Sequence, residues 1–274
     1  MKQWSGVESG LAHAAIVSRL ITAGDKKILQ HIVPVVSRFL AKELPERSDK
    51  YPLPDFATEL HPWLAKTREQ MDIESPRRNE GIVTQTAVNF VGAGAPFYEP
   101  GENVPGSSIV IGQYIEFNNF MLQIRERRGA YGAFVTADHW TGMLIFMSYR
   151  DPNLQETLEV YTSVPSYLKE QMQNSEAAAP LINSAIIGTI GSLDGSAPQP
   201  NTAGWLSLRQ WLMGSTPKLR QKWRDEILAT GSDDFVEFEK RLENQWKPLV
   251  AVAGPKSVLG KEKDLALTLI DVSE

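Results

Sequence analysis

The amino-acid sequence predicts an α+β fold, a two-layer sandwich in which one mostly antiparallel sheet is covered by helices. Three observations point there. Residues 82–91 (IVTQTAVNFV) are uncharged and rich in β-branched side chains. Residues 133–138 and 143–149 read as two strands about a tight turn at 139–142 that ends in Thr141-Gly142, a hairpin signal. The stretches between and after these runs repeat apolar residues at helical spacing. The pattern does not divide into two separate cores, so one domain is expected over residues 14–274, behind a flexible leader at residues 1–13.

Taken in order, residues 14–22 (AAIVSRLIT) predict a short strand and 23–27 a turn. Over 28–43, Ile28, Ile32, Val35, Val36, Phe39 and Leu40 form one helical stripe. Pro34 falls inside it, where it either kinks the helix or marks its start. Residues 44–80, rich in proline and charge, predict a long connection with a helical turn or two near 59–70. The run 82–91 predicts a central strand and 93–106 a loop. A long helix follows, with Val110, Tyr114, Phe117, Met121 and Ile124 on a single apolar face. After the hairpin, Asp151-Pro152-Asn153 signals a helix start, with Asp151 as cap and Pro152 at the first helical position. Helices are expected over 152–173, 178–190, 204–213, 217–229 and 233–245, with a loop at 191–203. Residues 248–253 predict a last core strand and 265–271 an edge strand.

Composition excludes several classes of function. Of 274 residues, 28 are Lys or Arg and 33 are Asp or Glu, a net charge of −5. A chain that reads nucleic acid normally shows a clear basic excess, so no nucleic-acid partner is expected. The chain has no cysteine, which removes disulfides, thiolate metal sites and a cysteine nucleophile. No stretch reaches the 18 apolar residues a membrane helix needs, and no membrane partner is expected. Residues 1–10 hold no apolar core of a secretory signal. Segment 5–25 is poor in acids, a weak likeness to a transit peptide.

The usual catalytic motifs are missing too. The histidines are His13, His31, His61 and His139. None has the partner spacing of HExxH or HxxEH, so no zinc site is encoded and no cofactor is expected on this chain. There is no GxSxG and no P-loop. Gly92-Ala93-Gly94-Ala95 reads as a loop, and Gly188-Thr189-Ile190-Gly191 as small residues allowing close helix packing or a helix end. What remains is a compact set of donors from Arg125 to Tyr131: an arginine at a helix end, then the glycine turn Gly129-Ala130-Tyr131-Gly132. Guanidinium and phenol can both hydrogen-bond a carbonyl oxygen that is becoming an oxyanion. Neither is a nucleophile or a base at neutral pH, so the pair would assist chemistry whose main agent lies elsewhere.

Several runs of sequence resemble the presequence protease branch of the pitrilysin/insulinase-type zinc metallopeptidases. They are RNEGIVTQTAVNFVG (78–92), GAYGAF (129–134), FMSYRDPNL (146–154) with TLEVY (157–161), and AIIGTIG (185–191). The likeness runs in order from about residue 14 to residue 274 and is to the last quarter of such an enzyme. It implies the C-terminal, non-zinc-binding domain of an oligopeptide-degrading protease built as a clamshell of two halves. Zinc is expected in the N-terminal half, which is the implied partner along with unstructured peptide substrates. The chain would form chamber wall and be inactive alone, either as a fragment of a longer protease or as a separate subunit. By resemblance, Arg125 and Tyr131, six residues apart around the Gly-Ala-Tyr-Gly run, would contact peptide near the scissile carbonyl and support the transition state, with Gly129 also at the substrate. Tyr149 and Arg150 would be structural. Where the family commonly has Gly-Gly before Ala-Tyr, this chain has Arg128-Gly129. The implied location is the mitochondrion or plastid in a eukaryote and the cytoplasm in a bacterium. The alternative is a non-catalytic scaffold or interaction subunit of the same fold.

Overall fold

The computed structural model describes residues 26–43, 78–99, 102–195, 200–212 and 215–272. The strand expected over 14–22, the leader at 1–13 and nearly all of the connection over 44–80 lie outside the described residues. In chain order the elements are α1 (Lys26–Glu43), β1 (Glu80–Val83), β2 (Asn89–Pro96), α2 (Ser107–Ile115), a π-helix (Glu116–Glu126), β3 (Gly132–Ala137) and β4 (Met143–Asp151). Then come α3 (Leu154–Thr162), α4 (Val164–Met172), α5 (Ser175–Asp194), α6 (Pro200–Leu212), α7 (Pro217–Leu228), α8 (Ser232–Gln245), β5 (Leu249–Gly254), α9 (Lys256–Leu259) and β6 (Thr268–Asp271).

These elements fall into two compact units. Met1–Ser75 with Ser196–Thr216 forms one, in which α1 and α6 are described. Pro34 lies inside helix α1, whose predicted apolar stripe is exposed at Ile32, Val35 and Phe39. Helix α6 likewise exposes Trp205 and Leu206. Among the described residues, no helix is long and apolar enough to cross a membrane.

Pro76–Gly195 with Pro217–Glu274 forms the other unit, and it holds the sheet. The six strands lie in the order β3-β4-β2-β5-β1-β6. Neighbours run antiparallel from β3 to β5, and β1 lies parallel to both β5 and β6. The fold is the expected α+β one, with a mixed sheet whose antiparallel part predominates. In β2 and β4 buried and half-exposed residues alternate, so one face enters the core and the other stays open. Helix α2 and the π-helix pack on β3, and α3 packs on β2 and β4. Helices α4, α5 and α8 pack on that first helical layer. The core is aromatic at its centre: the fully buried Phe146 ring lies 5.1 Å from Phe120 and 4.6 Å from Trp246.

Four sequence expectations are corrected here. The run 82–91 is not one strand. Val83 ends β1, and β2 starts at Asn89 on the far side of β5. Between them the Thr84 and Thr86 hydroxyls lie 3.0 Å apart and the Thr86 hydroxyl donates to the Val88 carbonyl at 2.9 Å, local bonds that replace the strand ladder. Residues 93–96 are not loop but the rest of β2. Its Gly-Ala composition suits a strand hemmed in on both sides by β4 and β5; a methyl on Gly94 would touch Ile145 at 3.4 Å.

The expected single helical face over 110–124 also fails in its second half. After Ile115 the chain forms an 11-residue π-helix, a form mostly seen as single turns. Each π-turn takes more residues than an α-turn, so Ile115, Phe120 and Ile124 face the core and Phe117 turns out to solvent. Lastly, the helix expected over 152–173 is broken at Ser163. Pro165 lacks an N–H, and its ring conflicts with a carbonyl four residues back, so α3 stops and α4 restarts with Pro165 in its first turn. The other helices, the hairpin, the core strand β5 and the edge strand β6 fall where expected to within a few residues.

Candidate functional site

Strand β4 carries an irregularity that shapes the site. Asn89 pairs with Asp151 and Val91 with Ser148, so Phe90 of β2 stands opposite two residues, Tyr149 and Arg150. This is a β-bulge, the device that re-aims side chains at sheet edges. Both Tyr149 and Arg150 are exposed, and Arg150 has φ +50. Asp151 returns to full burial. Its Oδ2 accepts from Thr157 Oγ1 at 2.6 Å, its Oδ1 accepts from the Asn153 amide at 2.9 Å, and its carbonyl accepts from Asn89 Nδ2 at 3.0 Å. Asp151 therefore does not cap α3 as the sequence suggested. The helix starts at Leu154 after Asn153, and Asn153 Nδ2 donates instead to the Arg128 carbonyl at 2.7 Å.

That bond reaches the turn that follows the π-helix. Arg125 sits in the last π-turn, exposed. The Gly129 amide donates to the Arg125 carbonyl at 2.9 Å, and the Ala130 amide to the Ile124 carbonyl at 3.2 Å. Gly129 adopts φ +81, a conformation glycine takes at little cost. Arg128, the departure from the family's glycine, points back: its guanidinium donates to the Gln123 carbonyl at 2.7 Å and closes the end of the π-helix. Buried Ala130 then anchors the chain, and the Tyr131 amide donates to the Tyr149 carbonyl at 3.1 Å just before β3 begins. Tyr131 is 69% exposed.

The three residues singled out in the sequence, Arg125, Gly129 and Tyr131, come together. With Glu126, Ala130 and Arg150 they line one shallow depression of about 640 Å³. Tyr131 and Tyr149 meet edge to face at 5.7 Å, and Tyr149 meets Phe90 in the same way at 5.2 Å. The Arg150 guanidinium lies 5.4 Å from the Tyr149 ring centre and 5.9 Å from that of Tyr131, within cation–π reach. Among the described residues neither Arg125 nor Arg150 is in an ion pair. The arrangement can donate hydrogen bonds to a carbonyl or carboxylate and stack a planar group. It offers no nucleophile.

The sequence gives Tyr149 and Arg150 structural roles; in the structure Arg150 also lines the depression and the Tyr149 ring packs on Tyr131. The signal was there as a fault in period-two alternation: Ser148 and Asp151, both polar, flank two outward-facing residues. His139 is not at the site. It lies half-buried in the hairpin turn, with its ring 4.2 Å from Trp223. His31 is on α1, where its ring bonds the Lys27 carbonyl at 2.8 Å; His13 and His61 lie outside the described residues. Gly188 is within α5, where an added Cβ would come 3.1 Å from Gln113 of α2, so the small residues there serve close helix packing. Among the described residues, no group of three or more His, Cys, Asp or Glu side chains could hold a metal ion. The lining of the depression, two arginines, a tyrosine and a single carboxylate, does not fit zinc.

Residues 79–254 match the family model of the PreP C-terminal domain. Among curated proteins, "Presequence protease 1, chloroplastic/mitochondrial" of Arabidopsis thaliana is 38% identical over 178 residues, covering 65% of this chain and 16% of that protein. "Protein HypA" of Clostridium perfringens is 30% identical over 200 residues, 72% of this chain and 20% of that protein. The chain thus spans a fifth or less of the length of these relatives. Among solved structures, the first half of the periplasmic protease PqqL from Escherichia coli superposes with a TM-score of 0.50 at 13% identity, covering 89% of this chain and 55% of that one. This last likeness concerns the fold alone.

Proposed function

The chain belongs to the PreP C-terminal domain family, and from that premise we propose that it serves as the C-terminal, non-zinc-binding domain of an oligopeptide-degrading, presequence protease-like zinc metallopeptidase. Zinc and the water it activates belong to an N-terminal half that this domain closes against, and the substrates are unstructured peptides. Relatives are named as mitochondrial or chloroplastic enzymes and one is bacterial, so the same reading places the chain in a mitochondrion or plastid, or in a bacterial cytoplasm.

One observation carries the site assignment: Arg125 and Tyr131, distinct in chemistry and six residues apart, line a single open depression with Gly129. In the proposed mechanism the peptide lies along this edge of the sheet. The Arg125 guanidinium and the Tyr131 phenol donate to the scissile carbonyl oxygen as negative charge develops on it, the kind of stabilisation that acts in the transition state. The Gly129 turn supplies close approach of the backbone. This chain holds and orients the peptide and contributes no attacking group.

The test is reconstitution. The chain alone is expected to leave a fluorogenic unfolded peptide intact, and the chain joined to its zinc-bearing half to cleave it, with activity lost on chelation. Cleavage that proceeds equally without the chain would assign it a scaffold role.

A further inference from the structure

We infer that Arg150 is a second substrate-contacting cation of this site and that it holds a carboxylate of the bound peptide; the inference rests on the reading of the Arg125–Tyr131 edge as a peptide site. In β4, Leu144, Phe146 and Ser148 are buried in strict alternation. Continued by one more step, that alternation would bury Arg150 and expose Asp151. The bulge reverses both, sending the Asp151 carboxylate into the core and the Arg150 guanidinium onto the open face. The backbone needed for this, φ +50, is one that glycine or asparagine adopts more readily than arginine. An arginine held there against local preference is the kind of outlier that collects at binding sites.

The side chain is also held in place. Its guanidinium rests against the Tyr149 and Tyr131 rings, and Tyr149 is itself braced by Phe90. No carboxylate among the described residues pairs with Arg150 or with Arg125, and Glu126 is the one acidic side chain on the depression they share. On a chain of net charge −5 this is a local surplus of positive charge. Guanidinium donors in a fixed fork match a carboxylate, and the tyrosine rings leave that fork directed at the depression. The carboxylate is either an acidic side chain next to the scissile bond or a free peptide C-terminus; both present the same two oxygens.

The test measures kcat/KM of the assembled protease on two matched peptide pairs. One pair carries Glu or Gln beside the scissile bond, and the other ends in a free carboxylate or an amide. Arg150→Gly suits φ +50, so its melting temperature is expected not to fall. It should lower the preference for the carboxylate member of one pair about tenfold, mainly through KM, the scale of one charge-assisted contact. Arg150→Lys should keep part of that preference. The pair affected identifies the source of the carboxylate. A wild type without preference in either pair, or an Arg150→Gly variant that slows both members of each pair alike or changes neither, overturns the inference. If Arg125→Ala then still lowers cleavage, the peptide-site reading stands alone; if Arg125→Ala is silent as well, both fall.

Discussion

Asn153 Nδ2 donates to the Arg128 carbonyl across 2.7 Å, tying the start of α3 to the turn that presents Tyr131. With the bond from the Tyr131 amide to the Tyr149 carbonyl, it holds the turn against the end of β4 and the start of α3. Asn153→Ala is expected to cost about 1 kcal/mol, the net worth of one part-buried hydrogen bond. It should also raise KM for peptide while leaving the sheet intact. Urea melts and steady-state kinetics of the assembled protease check both. A loss of stability with unchanged KM would show that the turn keeps its place without this tether.

Arg125→Ala is expected to lower peptide cleavage by about 10²–10³-fold if the guanidinium stabilises developing oxyanion charge. Tyr131→Phe should lower turnover with little effect on folding, since the ring stays and the residue is exposed. An Arg125→Ala effect confined to KM would make that residue a substrate clamp, and unchanged kinetics for Tyr131→Phe would remove the phenol from the mechanism.

Gly129→Ala tests the turn. At φ +81 a side chain is strained whatever the space around it, and the nearest atom to an added Cβ is Pro152 Cγ at 4.0 Å. The expected cost is about 1–2 kcal/mol, from backbone conformation alone. Activity should fall with stability, because relief of the strain moves Tyr131. A melting temperature equal to wild type would show that the turn accepts the change.

Glu116 links the π-helix to the sheet: its Oε2 accepts from the Val135 amide at 2.9 Å. Burial pushes its carboxyl above the ordinary carboxylate range, and the Val135 bond offsets this only in part. A folded-state value above the unfolded one means that the group favours the fold fully only below the unfolded value. That contribution is lost as pH rises through the folded value. Glu116→Gln keeps an acceptor and drops the charge, so it should stabilise the protein at pH 7, with the gain vanishing below about pH 4. Thermal melts across that range check the sign; a gain that persists at pH 3 would point to packing rather than charge.

How far the sequence could be read depended on the range of the interaction that decides each feature. The hairpin was legible because Asp138 and Gly142 act locally: the Asp138 carboxylate accepts from Trp140 and Thr141, and Gly142 takes φ +69. The Arg125–Tyr131 pairing was legible for the same reason, lying within one helix end and one turn. Phe117 was misread because a period of 3.6 was assumed, while the segment winds as a π-helix whose register is fixed by packing on β3. Thr84–Val88 looked like strand because β-branching is a preference, and the side-chain bonds that overrule it leave no mark on composition. Arg150 was assigned to structure because its exposure follows from where Phe90 stands on another strand, some sixty residues back in the chain.

Strand β1 has a consequence in time as well as in space. It lies parallel between β5 and β6, with Glu80 beside Ala251 on one side and Thr268 on the other. No nearby hairpin can seed either ladder, and on the ribosome β1 must wait for both of its neighbours to be made. The hairpin β3–β4, by contrast, can zip early and present the Tyr131 edge before the opposite flank of the sheet exists. Folding should therefore be slow and ordered, paced by closure of the long loop that brings β1 to β5. Until then, β1 is an unpaired strand open to a chaperone or to a wrong partner.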